Sequence, residues 1–413
     1  MQSPTDKSET SWLPWLAWAT GAVFFFYAWI LRVSPSVIVD ELMAELAVGG
    51  AIVGHLSALY FYGYSGMQLP VGLLIDRYGP RRLITAAAAI CALGAAGFAS
   101  SDSLTGLSIA RFFIGAGAAF SLMGAIHIAA RWLPPARFAM LSGLAMMVGM
   151  AGGVFGQAPV SMAVESYGWR STLMGISLVG ALIAVCAWLT VRDRPIGKPA
   201  SRGLFAGLKP VLREPQNWLN AVAGLGATGP LLGFGALWGV PYLQTALSLE
   251  RPEAAALASL VLVGWGVGAP SFGWVSDRLN RRREPFQVGI VICTVSLTTL
   301  IWQLPESKIA VGALCFLVGL GGSACIVNFA FAKGHNPPER SATAIGFING
   351  IVTGAGALFQ PAIGAVLDWM WDGTLREGAR VYDAADYRPA LSLMLIGLVI
   401  AWFTARKLRE PSA

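Results

Sequence analysis

Residues 72–82 read Gly72-Leu73-Leu74-Ile75-Asp76-Arg77-Tyr78-Gly79-Pro80-Arg81-Arg82. This polar, basic island sits between two apolar stretches, near 50–74 and 82–99, and the alternation continues in both directions along the 413 residues. A spanning helix needs about 20 apolar residues. Stretches of that kind fall at roughly 12–37, 50–74, 82–99, 104–130, 136–163, 171–190, 217–243, 254–275, 286–303, 309–331, 341–369 and 390–406, six in each half, with short polar loops between them. The predicted fold class is therefore an all-α membrane protein with twelve transmembrane helices.

Composition agrees. Hydrophobic residues make up 55% of the chain and charged residues 12%, against roughly 25% charged in a soluble domain, so the chain cannot cover itself with a polar surface. Met1 to Thr10 holds one Lys, and the apolar run after it is too long and bulky for a cleavable signal, so no targeting peptide is expected. Cys91, Cys186, Cys293, Cys315 and Cys325 lie inside apolar stretches without metal-ligand spacing and read as small core hydrophobes. Neither a metal nor another cofactor is expected. The net charge of +7 has a topological reading: 21 of the 29 Lys and Arg fall in the two tails and the even-numbered connections, six on the other face, and Arg32 and Arg111 within helices. By the positive-inside rule both termini are expected in the cytoplasm, in the inner membrane of a cell, and nucleic acid is not an expected partner.

The island at 72–82 has a second copy. Gly273-Trp-Val-Ser-Asp277-Arg278 with Arg281, Arg282 and Arg283 repeats it 201 residues later, while Pro134, Pro135, Arg137 and Gly143 recur as Pro337, Pro338, Arg340 and Gly346, displaced by 203. A duplicated six-helix unit produces such an offset, and a parallel repeat about the membrane normal suits carriers whose halves rock around a central site. The expected organisation is a tail at 1–11, a bundle at 12–190, a basic linker at 191–216 lying on the inner membrane surface, a second bundle at 217–406 and a tail at 407–413. The linker carries Arg192, Arg194, Lys198, Arg202, Lys209 and Arg213.

The segment from Gly72 to Arg82 resembles, at every defined position, the signature between helices two and three of the major facilitator superfamily, and the resemblance extends over nearly the whole chain. It implies two pseudo-symmetric six-helix bundles and marks Gly72, Asp76, Arg77, Gly79, Arg81 and Arg82 as conformational-switch residues that latch the cytoplasmic side and do not touch substrate. Gly273, Asp277 and Arg278 would do the same in the second half, where Asn280 replaces the usual glycine. Asn tolerates a left-handed turn better than most residues. Arg111-Phe-Phe-Ile-Gly115-Ala-Gly117 resembles the family's fourth-helix motif, whose arginine faces the central cavity, and Tyr167-Gly168-Trp169-Arg170, Gln360-Pro361 and Asp368 are similar to further family features. Helix five carries Gly149, Gly152, Gly153 and Gly156, spaced for tight packing, but not the Gly-Pro pair of the antiporter signature.

Charge inside a bilayer is costly and marks function, which singles out Arg32 and Arg111. At about 1.5 Å per residue both lie roughly 9–10 Å from the middle of their helices toward the same face, and two guanidinium groups there favour an anion such as a carboxylate. The alternatives are an interface-snorkelling Arg32 beside Asp40 and Glu41 and a structural Arg111. Tyr60, Tyr64 and Gln68 share one face of helix two. With Tyr27, Trp238, Tyr242, Asn328, Asn349 and Gln360 they complete the candidate substrate wall. The candidates for a coupling proton are His55, Asp40, Glu41 and Asp368.

The function expected is secondary transport of a small organic solute, most simply an anion such as a carboxylate, amino acid or short peptide, by a monomer working through alternating access. Export of hydrophobic or amphiphilic compounds is the alternative, and a receptor that kept the fold without transport is a third. A membrane-embedded enzyme would need His, Asp or Glu clustered with catalytic spacing at one face, and the sequence displays none.

Overall fold

The computed structural model describes residues 12–193 and 208–410, apart from the side chains of Leu73, Asp76 and Ala139. The two tails at 1–11 and 411–413, the linker residues Arg194, Lys198 and Arg202, and the Asp76 side chain thus lie outside the described residues. The twelve crossings are α1 (Leu13–Val37), α2 (Gly50–Met67), α3 (Pro80–Ser100), α4 (Leu104–Trp132), α5 (Met140–Tyr167), α6 (Trp169–Thr190), α7 (Pro215–Leu247), α8 (Arg251–Leu279), α9 (Arg283–Trp302), α10 (Lys308–His335), α11 (Pro338–Met370) and α12 (Ala384–Arg406). Eleven of these are long and apolar enough to cross alone, and α2 passes together with the short helix Val39–Leu46, from which it bends by 117°.

Most helices run about a turn beyond the apolar stretch that announces them. Pro80, Pro215 and Pro338 open α3, α7 and α11, where the missing N–H costs nothing and φ is already helical. Arg131, Arg278 and Arg406 stand in the last turns of α4, α8 and α12, favourably placed against the carbonyl end of the helix dipole. Several helices are also broken inside. A 3₁₀ turn at Ser34–Val37 ends α1 at Pro35, a π-helical stretch at Leu231–Trp238 follows Pro230 in α7, and a second 3₁₀ turn at Ser323–Val327 follows Gly321-Gly322 in α10. Backbone at membrane depth can leave α geometry only where protein supplies the lost hydrogen bonds, so these breaks point to the interior of the molecule.

The duplication is visible in the packing. In the first half α2 packs on α4, α3 on α4 and α6, and α1 on α5 and α6; in the second α8 packs on α10, α9 on α10 and α12, and α7 on α11 and α12. Among the described residues three seams between crossings join the halves: α2 against α11, α5 against α8, and the end of α1 against the π-helical part of α7. Small residues set the first of these. A Cβ on Gly54 would stand 2.4 Å from the Gln360 carbonyl oxygen, and one on Gly364 would stand 2.1 Å from that of Gly50, so the two helices touch backbone to backbone. The glycines of α5 serve α1 and the α8 seam: Gly149 and Gly152 meet Phe25 and Phe26, Gly156 meets Ile30, and Gly153 meets Trp29 and Leu262.

The face bearing most of the basic connections is called the basic face below. On the opposite face a two-stranded hairpin, Leu375–Arg376 with Ala379–Arg380, lies between α11 and α12 and packs on the helix Val39–Leu46 of the other half.

Candidate functional site

Pro35 organises the end of α1. The carbonyl of Leu31 would ordinarily accept a hydrogen bond from the residue four places on, but Pro35 has no N–H to give. Arg111 of α4 fills the vacancy: its Nη1 donates to the Leu31 carbonyl at 2.6 Å and its Nη2 to that of Arg32 at 3.4 Å, while Ser34 Oγ adds a bond to Leu31 at 3.3 Å. Arg111 is 2% exposed. The second arginine of the sequence pair is thus tied to backbone, at the end of α1 where the helix dipole is negative.

Arg32, one residue further on, is 5% exposed and is surrounded by rings. Its Cζ lies 4.1 Å from the centroid of Trp29, 4.6 Å from Tyr64, 5.2 Å from Tyr60 and 5.9 Å from Phe61. Its Nε donates to the Tyr60 hydroxyl at 3.3 Å, and that hydroxyl donates on to the Ala28 carbonyl at 3.4 Å. Tyr60 and Tyr64 stack with centroids 5.9 Å apart and planes 14° from parallel, as their spacing of one turn allows. Tyr60 also faces Arg111, whose Cζ is 5.2 Å from its centroid. Such cation–π contacts contribute about 0.5 to 2 kcal/mol each. Among the described residues no carboxylate lies within ion-pair distance of Arg32 or Arg111. Trp29 and Phe61, absent from the sequence reading, belong to this site; Trp29, three residues before Arg32 on one helix, was the available signal.

The α2–α11 seam continues from there toward the basic face. Ser65 Oγ and Thr353 Oγ1 are 2.9 Å apart, and Asn349 Nδ2 donates to Gln68 Oε1 at 2.8 Å. Gln68 and Asn349 are therefore paired across the halves. At the other end of the seam Asp368 caps α2 from the opposite bundle, accepting from the backbone N–H groups of Gly50 and Ala51 at 2.9 Å each, from Tyr382 Oη at 2.5 Å and from Arg380 Nη1 at 3.1 Å. Burial and the bond to Asp368 push the Tyr382 hydroxyl well above the usual phenol range, keeping it a donor. Glu41 Oε1 pairs with Arg251 Nη1 at 2.5 Å across the α1–α8 side. Together these contacts close the opposite face.

A model of the Major Facilitator Superfamily matches residues 17–361. The chain belongs to that superfamily. Among curated proteins it is 26% identical over 357 residues to the probable nitrate/nitrite transporter NarK2 of Mycobacterium tuberculosis, covering 83% of this chain and 84% of that one. It is 22% identical over 381 residues to a probable L-galactonate transporter of Escherichia coli, with 84% and 83% covered, and 25% identical over 366 residues to the gallate transporter of Pseudomonas putida, with 80% of each covered. Among solved structures, a bacterial homologue of the human lysosomal transporter Spinster in an inward-facing, unoccupied conformation superimposes with a TM-score of 0.82 at 17% identity, over 98% of this chain and 100% of that one. The protein is a membrane-embedded facilitator-superfamily transporter of a small solute.

Other residues of the predicted site stand apart from Arg32. Tyr27 turns the other way round α1, its hydroxyl against Gly180 of α6, because five residues rotate a helix by well over a quarter turn. Tyr242 is bound in the second bundle, donating to the Leu300 carbonyl at 2.6 Å beside Tyr387. Asn328 pairs with Asn220, whose Nδ2 donates to the Asn328 carbonyl at 2.9 Å and whose own carbonyl accepts from Asn328 Nδ2 at 3.5 Å. Gln360 Nε2 donates to the Leu232 carbonyl at 2.8 Å and Gln157 Nε2 to that of Gly235 at 2.6 Å, so both amides serve carbonyls of the π-helical stretch. Trp238 Nε1 donates to the Gln360 carbonyl at 2.9 Å. His55 is exposed on the outer side of α2, its ring 5.7 Å from that of Tyr62, and Asp40 is exposed beside Glu41.

At the basic face the superfamily signature segments have local partners. Gly79 takes φ +84° and opens α3, whose Arg81 N–H donates to Asp193 Oδ1 at 3.0 Å; Arg81 Nε donates to the Trp188 carbonyl at 2.9 Å. In the second copy Asn280 does adopt the left-handed turn, φ +49°, and Asp277 pairs with Arg282. Arg77 and Arg278 lie over their neighbours Tyr78 and Trp274, and Arg82 stands beside Arg81 at the start of α3. A Cβ on Gly72 or Gly273 would meet nothing within 4 Å. The close approach that their lack of a side chain permits is not made in this conformation. Tyr167-Gly168-Trp169-Arg170 is an anchor on the opposite face: Arg170 pairs with Glu45 and Asp102 and donates to the Ala99 carbonyl at 2.8 Å, fixing the helix Val39–Leu46.

Proposed function

We propose that this chain moves a small organic anion across the inner membrane by alternating access, with the basic face in the cytoplasm. The observation that carries the reading is Arg32: a buried guanidinium, walled by four aromatic rings, with no carboxylate among the described residues to neutralise it. A charge held in that setting is expensive unless a ligand supplies the counter-ion. The named solutes of three relatives, nitrate or nitrite, L-galactonate and gallate, are anions, which supports the same class here. The seam supports the motion. Asp368 and Glu41 hold one face shut through contacts between the bundles, and Gly72 and Gly273 look onto open space at the other, the asymmetry expected of one end state of a rocking carrier. We assign Asp368 and Glu41 to this closure.

The test is uptake of nitrate, gluconate and gallate by proteoliposomes, with and without an imposed pH gradient. Arg32→Gln should lower transport of the accepted anion by roughly 30- to 150-fold, the worth of 2 to 3 kcal/mol of charge-assisted hydrogen bonding. Unchanged uptake in Arg32→Gln refutes the reading. Transport confined to cations or neutral lipophiles replaces it with efflux of amphiphiles.

A further inference from the structure

We propose that Arg32 alone recognises the substrate anion and that Arg111 is a positioning residue withdrawn from it, so that the site takes solutes presenting a single negative charge and disfavours dianions. This deepens the anion-carrier reading and rests on it.

Two buried guanidinium groups beside one tyrosine suggest a divalent clamp. Their hydrogen bonds do not. Arg111 spends Nη1 and Nη2 on the Leu31 and Arg32 carbonyls, and it does so because Pro35 leaves the Leu31 carbonyl without its helical donor. Its charge rests against the carbonyl end of α1, which carries about half a negative charge. Its Nε is buried without a partner and the whole side chain is 2% exposed, so the N–H groups left over on Nη1 and Nη2 are withdrawn from solvent. Arg32 donates Nε to Tyr60 and has Tyr64 as a second polar neighbour, and its terminal nitrogens carry the remaining donors for an incoming oxyanion. The rings of Trp29, Tyr60, Phe61 and Tyr64 exclude water and hold the guanidinium in place. They supply no compensating charge, and close to one uncompensated positive charge remains. One carboxylate neutralises it, whereas the second charge of a dianion would be buried unpaired. Arg111 acts by fixing the end of α1, and with it the direction in which Arg32 points.

The experiment is calorimetric binding to the purified full-length carrier with two matched pairs, gluconate against glucarate and benzoate against phthalate. At least one monoanion should bind at least about tenfold tighter than its dianion partner. Arg32→Gln should weaken the monoanion by roughly 30- to 150-fold. Arg111→Gln should weaken it by no more than about tenfold and leave the monoanion-to-dianion ratio unchanged. Adding Pro35→Ala, which returns an N–H to the Leu31 carbonyl, should restore most of that loss. Should Arg111→Gln fail to fold, Arg111→Lys, which keeps a donor for that carbonyl, is expected to preserve the ratio. Dianions binding as tightly as monoanions, loss in Arg111→Gln equal to that in Arg32→Gln in a monodisperse protein, or failure of Pro35→Ala to rescue would each overturn the proposal while leaving the anion carrier standing. A protein that binds no member of either pair but is stabilised by cations or neutral solutes overturns both.

Discussion

Replacing Asp368 by Asn tests whether the halves are held by a capped helix. The carboxylate accepts two backbone N–H groups at the start of α2, both at 2.9 Å, and it belongs to the other bundle, so these bonds break whenever the halves part at that face. Charge-assisted bonds contribute about 1.5 to 3 kcal/mol each, and a carboxylate at a helix amino terminus adds about 0.3 to 1 kcal/mol. An amide can still accept one of the two N–H groups. The expected shift toward the conformation open at that face is therefore about 2 to 4 kcal/mol, or roughly 30- to 900-fold in the ratio of the two states. Ser57 is a suitable reporter, since it is 1% exposed and lies one turn beyond Gly54 on the seam side of α2. Ser57→Cys, with the native cysteines replaced, should react with a maleimide at least about tenfold faster when Asp368 is Asn, by the same population arithmetic. A rate within about twofold of the parent's, in protein of unchanged melting temperature, would mean that the cap contributes nothing to closure and would refute the reasoning.

Glu41→Gln should shift the same equilibrium in the same direction but by less, about 0.5 to 1 kcal/mol, because the Glu41–Arg251 pair is partly solvent-screened; the same labelling assay reads it. Tyr382→Phe removes the hydroxyl that bonds both Asp368 and the Gly50 N–H, and labelling faster than in the parent is expected, with no change if Asp368 holds its place unaided. Gly264→Ala and Gly319→Ala place a Cβ within 2 Å of the Phe316 and Val261 carbonyl oxygens where α8 crosses α10. Each should cost about 1 to 3 kcal/mol of overpacking, seen as a lower melting temperature in detergent. A cysteine pair at Gln68 and Asn349 should cross-link with a short bifunctional reagent in the conformation described here, and Asp368→Asn should leave that reaction as fast or faster, because halves that rock about the middle of the membrane close on the basic-face side as they part at the other.

The extent of each crossing was legible in outline because hydropathy reports the hydrocarbon core directly, and it fell short by about a turn at many ends because prolines and charged last turns continue a helix into the headgroup region. Asn280 carried its own conformation: an amide side chain tolerates φ +49° at the turn where Gly79 stands in the first copy. Side-chain direction was less legible. Tyr60, Tyr64 and Gln68 share a face by helical spacing, and one helix period sufficed to group them. Tyr27, Tyr242 and Asn328 are just as polar and just as deep, yet each is turned into its own bundle: Tyr242 and Asn328 bond to residues remote in sequence, and the Tyr27 ring fits into the space that Gly180 leaves.

What the sequence by itself determined is the class of the molecule, its twelve crossings, its internal duplication and the pair of arginines that no bilayer tolerates without cause. Local rules suffice for these, since apolar length, repeat offset and charge are properties of short stretches. Only the tertiary structure decided that Arg111 is bound to the end of α1 while Arg32 is left to the aromatic rings, and that Asp368 holds the start of a helix 318 residues away. Hydrogen bonds depend on which groups are brought within about 3 Å, and the packing of helices far apart in the chain sets that distance.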